Sequence, residues 1–420
     1  MNSRYGHTCT KINTKAREKK MEREQLTFED RKKLYIDACT WNKPKRVLLN
    51  AYQMGWMYTD CGMTLDVASR DYYMSEVAMD EFMKKYPVDA IGTASNGFRY
   101  HYRFTDPLGH SGGYANPEEN LKEGNVNAIF EDLVTVDDFD DMMADLNKVR
   151  WEKAVFNLYP DAKNLSPEVF ARAAQEVYFL NAAKEKVNTT IRDKWGVLIP
   201  YGDVVGFSLM VDNLFNIYRG IKGLSIDLRR HKDKVYELCE YFDNKNLEVA
   251  IAKLDARPNG HGVGTKNHYD CSIGALAHTT LNSKHIEKLC IEPWRKFLDK
   301  VQEKEKTVYC NIEGAFLNRV HGDFFGEYNK GTLNMTVEMD DPYEVRKAYP
   351  NIAIYGGLNV DILGNGTPQQ AVDMAKKAID ELGYDGGLYL APNKMVAYRW
   401  DMSSENIKAV SEFTSTYYLR

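Results

Sequence analysis

From about residue 140 to the carboxyl terminus, short apolar runs alternate with longer stretches whose apolar residues recur every three or four positions. The runs "TVYCNIEG", "TLNMTVEMDD", "IAIYGGLNVD" and "GGLYLAPN" predict buried strands. Helices are predicted in "SPEVFARAAQEVYFLNAAKEKVNTTIRDKWG", "RHKDKVYELCEYFDNKNLEVAIAKLDAR", "SKHIEKLCIEPWRKFLDKVQEK", "AFLNRVHGDFF", "DPYEVRKAYP", "TPQQAVDMAKKAIDELG" and "SSENIKAVSEFTSTYYL". Their starts carry chemical signals. Ser166 precedes Pro167, Asp341 precedes Pro342, and Thr367-Pro368 with Gln370 makes a capping box. In that last helix Ala371, Ala375, Ala378, Ile379 and Leu382 form one apolar face.

Nearer the amino terminus, Thr27 caps a helix beginning "FEDRKKLYIDACT", and "VLLNAYQ" predicts a first strand. Residues 98–104, "FRYHYRF", alternate Phe98, Tyr100, Tyr102 and Phe104 with Arg99, His101 and Arg103, a period-two strand. Strand and helix in repeated alternation allow a closed (β/α)8 TIM barrel or an open doubly wound sheet. No Gly-x-Gly-x-x-Gly follows an early strand, which weighs against the open dinucleotide-binding form. No linker marks an internal boundary. Residues 26–420 therefore read as one α/β barrel with an N-terminal helical and β extension. Residues 1–25 read as a disordered basic tail, or as an over-called start ahead of Met21.

Composition narrows the class. A net charge of −5 gives no global attraction to nucleic acid or anionic lipid. No apolar run is long enough to cross a bilayer, and the first 25 residues lack the apolar stretch of a signal peptide. Seven widely spaced cysteines argue for a reducing compartment, so the expectation is a cytoplasmic protein. The 27 tyrosines suit an aromatic-lined pocket, an interface or simple core packing.

In a barrel, chemistry gathers at the carboxyl ends of the strands. Those ends carry Cys310, Asn311 and Glu313, then Glu338, Asp340 and Asp341, then Asn359 and Asp361, then Asn393. Glu313, Glu338, Asn359, Asp361 and Cys310 are the catalytic candidates; Tyr309, Asn393 and His278 are candidate substrate contacts. Asp341 is equally placed to cap its helix, and Asn359 and Asp361 to satisfy loop backbone. His261, His268, His278 and His285, with Cys271, lie in a Gly-rich stretch that reads as a mobile active-site loop or, at unfamiliar spacing, a metal site. His321 reads as a surface residue.

The stretch "GGLNVDILGNGTPQQAVDMAKKAIDELGYDGGLYLAPN" followed by "SSENIKAVSEF" resembles the uroporphyrinogen decarboxylase superfamily, which includes methylcobamide-dependent methyltransferases. "PWRKFLDKVQEK", "NIEG" and "YRGIKGLSIDLRRHKDKVYEL" extend the resemblance over about residues 190–420. It implies a (β/α)8 barrel. The decarboxylase's Arg-rich signature is replaced by "NAYQMGWMYTDCGMTLD", which holds no arginine to grip an acidic tetrapyrrole. The His-x-Cys zinc pattern of thiol methyltransferases is reduced to Val308-Tyr309-Cys310, with Ala391-Pro392-Asn393 at the later position. The Glu-x14-Glu-x20-His pattern of methyl-ether demethylating components corresponds to Asp323, Glu338 and Asn359, an oxygen-ligand set that suits zinc less than a harder cation.

The resemblance thus implies an enzyme of the anaerobic O-demethylase-like branch. It would move a methyl group from a small, methoxylated aromatic donor to a corrinoid protein, with zinc as the open cofactor and a homodimer allowed. Two alternatives share the barrel. One is a cofactor-independent decarboxylase or lyase, and the other a small-ligand-binding protein without catalysis.

Overall fold

The computed structural model describes residues 26–53, 55–64, 67–68, 71–91, 132–199, 203–319 and 324–419. Six parallel strands form one sheet in chain order: β1 (Val205–Phe207), β2 (Cys271–Ala275), β3 (Val308–Ile312), β4 (Leu333–Thr336), β5 (Ala353–Leu358) and β6 (Leu388–Pro392). Neighbouring strands pair in continuous register, with Gly206 beside Ser272, Ser272 beside Tyr309 and Asn311 beside Gly274. The outer edge of β6 continues through single parallel bridges, Leu49 to Leu390, Asn50 to Ala90 and Ala90 to Leu198.

Alternation fixes the two faces. Val308, Cys310 and Ile312 are buried with the helices on one face of β3, so Tyr309 and Asn311 point to the other. Helix Pro167–Trp195 precedes β1, and the longest helices between strands are Lys232–Asp255, Glu292–Glu303 and Pro368–Leu382. The capping box of Pro368–Leu382 forms as its sequence requires. Gln370 N–H donates to Thr367 Oγ1 at 3.3 Å, and Thr367 N–H donates to Gln370 Oε1 at 2.8 Å. Ala371, Ala375, Ala378, Ile379 and Leu382 are all buried, and Ile379 and Leu382 each contribute about 1.5–3 kcal/mol through that burial. Thr27 caps Phe28–Cys39 with a reciprocal Asp30 box. Ser166 occupies the cap position of Pro167–Trp195 without a side-chain capping bond.

Three expectations need correction. The stretch around Cys271 holds strand β2 in place of a mobile loop, and its buried histidines, His268 and His278, are packed side chains. The residues before β2 also lie at the amino-terminal end of the sheet, away from the strand ends where chemistry was expected. There Lys306, fully buried, donates to the carbonyls of Gly260 and Val263 and sits 3.6 Å from Asp270. In place of the start of the predicted helix after β3, residues 317–319 form a turn, because Gly314 turns the chain at φ +78° and Asp340 holds Phe316 N–H and Leu317 N–H; Phe324–Glu327 is a short 3-10 segment, and residues 320–323 lie outside the described residues. Residues 1–25 and the alternating run 98–104 lie outside the described residues, and among the described residues no helix is long and apolar enough to cross a membrane.

Candidate functional site

Glu338, Asn359, Asp361 and Asn393 share one cleft of ≈ 930 Å³, between the carboxyl ends of β4 and β5 and the helix Pro368–Leu382 packed outside them. Most of their polar atoms are engaged in holding loops. Asn359 Oδ1 accepts Asp361 N–H at 2.7 Å and so caps the short helix Val360–Asn365. Asn393 joins three elements: its Oδ1 accepts Val360 N–H at 3.0 Å and its Nδ2 donates to Glu338 O at 2.8 Å. Glu338 Oε2 accepts Gly314 N–H at 2.5 Å, and Asp341 caps Pro342–Ala348 through Tyr343 N–H. Asp361 is exposed in the cleft. Glu313 sits one strand away at the end of β3, exposed, with Oε1 accepting from Asn311 Nδ2 at 3.2 Å. The cleft is built as scaffold.

Cys310 is buried on the helix face of β3, and burial pushes its thiol far above the usual range, so it is not placed as a nucleophile. His278 is fully buried, its Nε2 2.7 Å from Glu313 O, and burial lowers its pKa so that it stays neutral. It braces the β3 end from behind. Among the described residues no three His, Cys, Asp or Glu side chains come together to hold a metal ion. Glu338 and Asn359, the two described members of the zinc-like spacing, each bind backbone N–H groups as described above, and Asp323 lies outside the described residues.

The opposite face of the sheet carries a different chemistry. Tyr309, Tyr355 and Tyr389 project from β3, β5 and β6, and Tyr35, Tyr52, Tyr269 and His268 meet them. Ring centroids lie 4.7 Å apart for Tyr355–Tyr389, 5.1 Å for Tyr309–Tyr355 and 5.1 Å for the stacked pair Tyr269–Tyr309. At the carboxyl end the polar tips converge. Thr336 Oγ1 donates to Tyr309 OH at 3.0 Å, leaving the Tyr309 hydrogen to point at Tyr52 OH (3.4 Å) or Asn311 Oδ1 (3.4 Å). Tyr52 OH lies 3.5 Å from the same Asn311 oxygen. Burial pushes the Tyr309 phenol up to about 12, so it remains a donor at neutral pH.

The amino-terminal end of this face is closed by the helix Phe28–Cys39, whose Tyr35 OH accepts from Asn334 Nδ2 at 3.2 Å. Asp89 ties that helix down, accepting from Arg31 (3.2 Å), bidentately from Arg46 (2.7 and 2.6 Å) and from Leu49 N–H (2.9 Å). Burial alone would raise the Asp89 carboxyl, but the two guanidiniums more than offset it and hold it below the usual range.

Two further acids fix the ends of β1 and β2. Asp212 accepts Leu276 N–H (2.9 Å) and Ala277 N–H (2.7 Å), and Asp243 accepts Met210 N–H (2.6 Å). Burial raises Asp212 to about 6. Burial, with some help from Asp212, raises Asp243 to about 7. Neither acid was singled out in the sequence, and of the tyrosine face only Tyr309 was. The period-two pattern of "VYCNI", with Cys310 in its apolar set, could have separated Tyr309 and Asn311 from Cys310. No family model and no curated protein matches the chain.

Proposed function

We propose that the chain is an enzyme whose substrate site is the tyrosine-walled mouth of a closed (β/α)8 barrel, and that it takes a methyl group from a small uncharged aromatic ether. The bridges through Leu49 and Ala90 support closure, since they add two short parallel segments to the six strands and lead to Leu198. Leu198 would then stand beside Ala90, and Val205–Phe207 beside β2, at the point where the ring closes. Tyr52, beyond the β6 edge, lies within 3.4 Å of Tyr309 on β3, as a curled sheet requires.

The observation that carries the function is the convergence of Tyr52, Tyr309, Asn311 and Thr336 at the carboxyl end of an aromatic face. Those four side chains are uncharged hydroxyls and an amide, which favours a neutral donor over a carboxylate substrate. As the methyl carbon–oxygen bond breaks, the electron pair stays on the aryl oxygen, and Tyr52 and Tyr309 donate hydrogen bonds to the developing charge. Glu313, through Asn311 Nδ2, orients the amide. The methyl acceptor would be a corrinoid carried by a partner protein. Met339 and Trp400, exposed beyond β4 and β6, offer that partner an apolar rim.

The test is release of the free phenol from methoxylated aromatics in the presence of reduced corrinoid. Tyr309→Phe should lower kcat by roughly 100- to 1,000-fold, the effect of one oxyanion donor. Absence of phenol with every methoxylated aromatic tried would overturn the reading.

A further inference from the structure

The ≈ 930 Å³ cleft beside β4 and β5 concentrates negative charge. Five carboxylates line it: Glu338, Asp340, Asp341, Asp361 and Asp373. The same lining holds one basic residue, Lys377, whose ammonium lies 4.3 Å from the centre of the Tyr343 ring. Among the described residues, none of the five carboxylates is in an ion pair.

Backbone N–H groups hold three of these acids in place by one oxygen each. Glu338 Oε2 accepts Gly314 N–H, Asp340 Oδ2 accepts Phe316 N–H at 2.7 Å and Leu317 N–H at 3.1 Å, and Asp341 Oδ1 accepts Tyr343 N–H at 2.7 Å. Asp373 Oδ1 accepts Gln369 Nε2 at 2.8 Å. The second oxygen of each, and both oxygens of Asp361, have no hydrogen-bond partner among the described residues. The oxygens that brace the loops are therefore not the oxygens left to meet a ligand. Carboxylates gathered without counter-charges repel one another, and a bound cation relieves that repulsion.

The arrangement selects the shape of the cation. A compact metal ion needs several ligands converging on one point, and among the described residues no three His, Cys, Asp or Glu side chains converge in that way. The charges are spread along a cleft whose other walls include Val337, Ile362 and Met374. Methylene segments pack on such side chains, while ammonium groups, with three donors each, reach separate carboxylates. Lys377 over Tyr343 makes the same kind of contact within the chain, an ammonium on an aromatic face at the end of an alkyl stem.

We propose that this cleft is a binding site for a linear aliphatic polyamine, separate from the tyrosine-walled mouth and independent of methyl transfer. Calorimetric titration of the purified chain with spermidine tests it. One spermidine should bind per chain, with an affinity that falls as salt rises. Asp361→Asn combined with Asp373→Asn should weaken binding by roughly tenfold or more. Both side chains are exposed and neither holds a backbone group, so the variant should melt at the wild-type temperature. Asp137→Asn with Asp141→Asn removes the same charge from exposed residues at and just before the helix Phe139–Val149, and should leave binding unchanged. Equal weakening by the two pairs would reduce the effect to diffuse attraction and overturn the site, as would a wild-type chain that binds no spermidine. Displacement of spermidine by an equal concentration of magnesium ion, or tighter binding of trilysine, would overturn the polyamine assignment.

Discussion

Asp243→Asn should remove most of a pH dependence built into the β1 end of the site. The Asp243 carboxyl rests at about 7 in the folded chain against an ordinary 3.8, raised first by burial. The folded state therefore keeps a proton that the unfolded chain releases. Its stabilising effect is fully present below 3.8 and is lost as pH rises toward 7. Each pH unit in that window costs about 1.4 kcal/mol, so between about pH 5 and 7.5 the loss is roughly 2–3 kcal/mol. Asparagine keeps an oxygen for Met210 N–H but carries no titrating proton. Urea unfolding of both proteins at a series of pH values isolates the effect. The variant should gain roughly 2–3 kcal/mol relative to wild type from about pH 5 to 7.5, levelling off above. Asp212, at about 6, should give a smaller gain in the same direction on substitution by asparagine. A stability difference that stays constant with pH would refute the assignment of a buried, protonated Asp243.

Asp89→Asn should destabilise the chain by about 3–5 kcal/mol in denaturant, because Arg31 and Arg46 remain buried without their counter-charge. Thr367→Ala should cost about 1 kcal/mol of unfolding free energy and leave ligand binding unchanged, since it removes only a helix cap. Cys310 should resist alkylation in the native protein and react only on unfolding, and Cys310→Ala should retain turnover.

The sequence carried most where a local rule was strong enough to survive tertiary context. Caps at Thr27, Asp341 and Thr367 formed because side-chain oxygens there meet the unsatisfied N–H groups of a first helical turn. Strands β3 to β6 were readable because each is a run of apolar residues flanked by turn formers. β1 and β2 were not: Val205–Phe207 is three residues long, and Cys271–Ala275 alternates small residues with glycine. The same local logic explains why Asn359 looked functional. A polar residue at a strand end is also the natural cap of the next helix, and here the cap prevails. What no local rule reveals is the meeting of Tyr52, Tyr309 and Asn311. They lie as far as 259 residues apart, and strand register and sheet curvature alone bring them together.

The most direct measurement is a crystal structure of the protein soaked with 2-methoxyphenol. The ring should lie in the tyrosine-lined mouth, with an oxygen within hydrogen-bond distance of the Tyr52 or Tyr309 hydroxyl. Density for the ring in the cleft beside Glu338 and Asp361, with the tyrosine mouth filled only by water, would contradict the assignment of the substrate site.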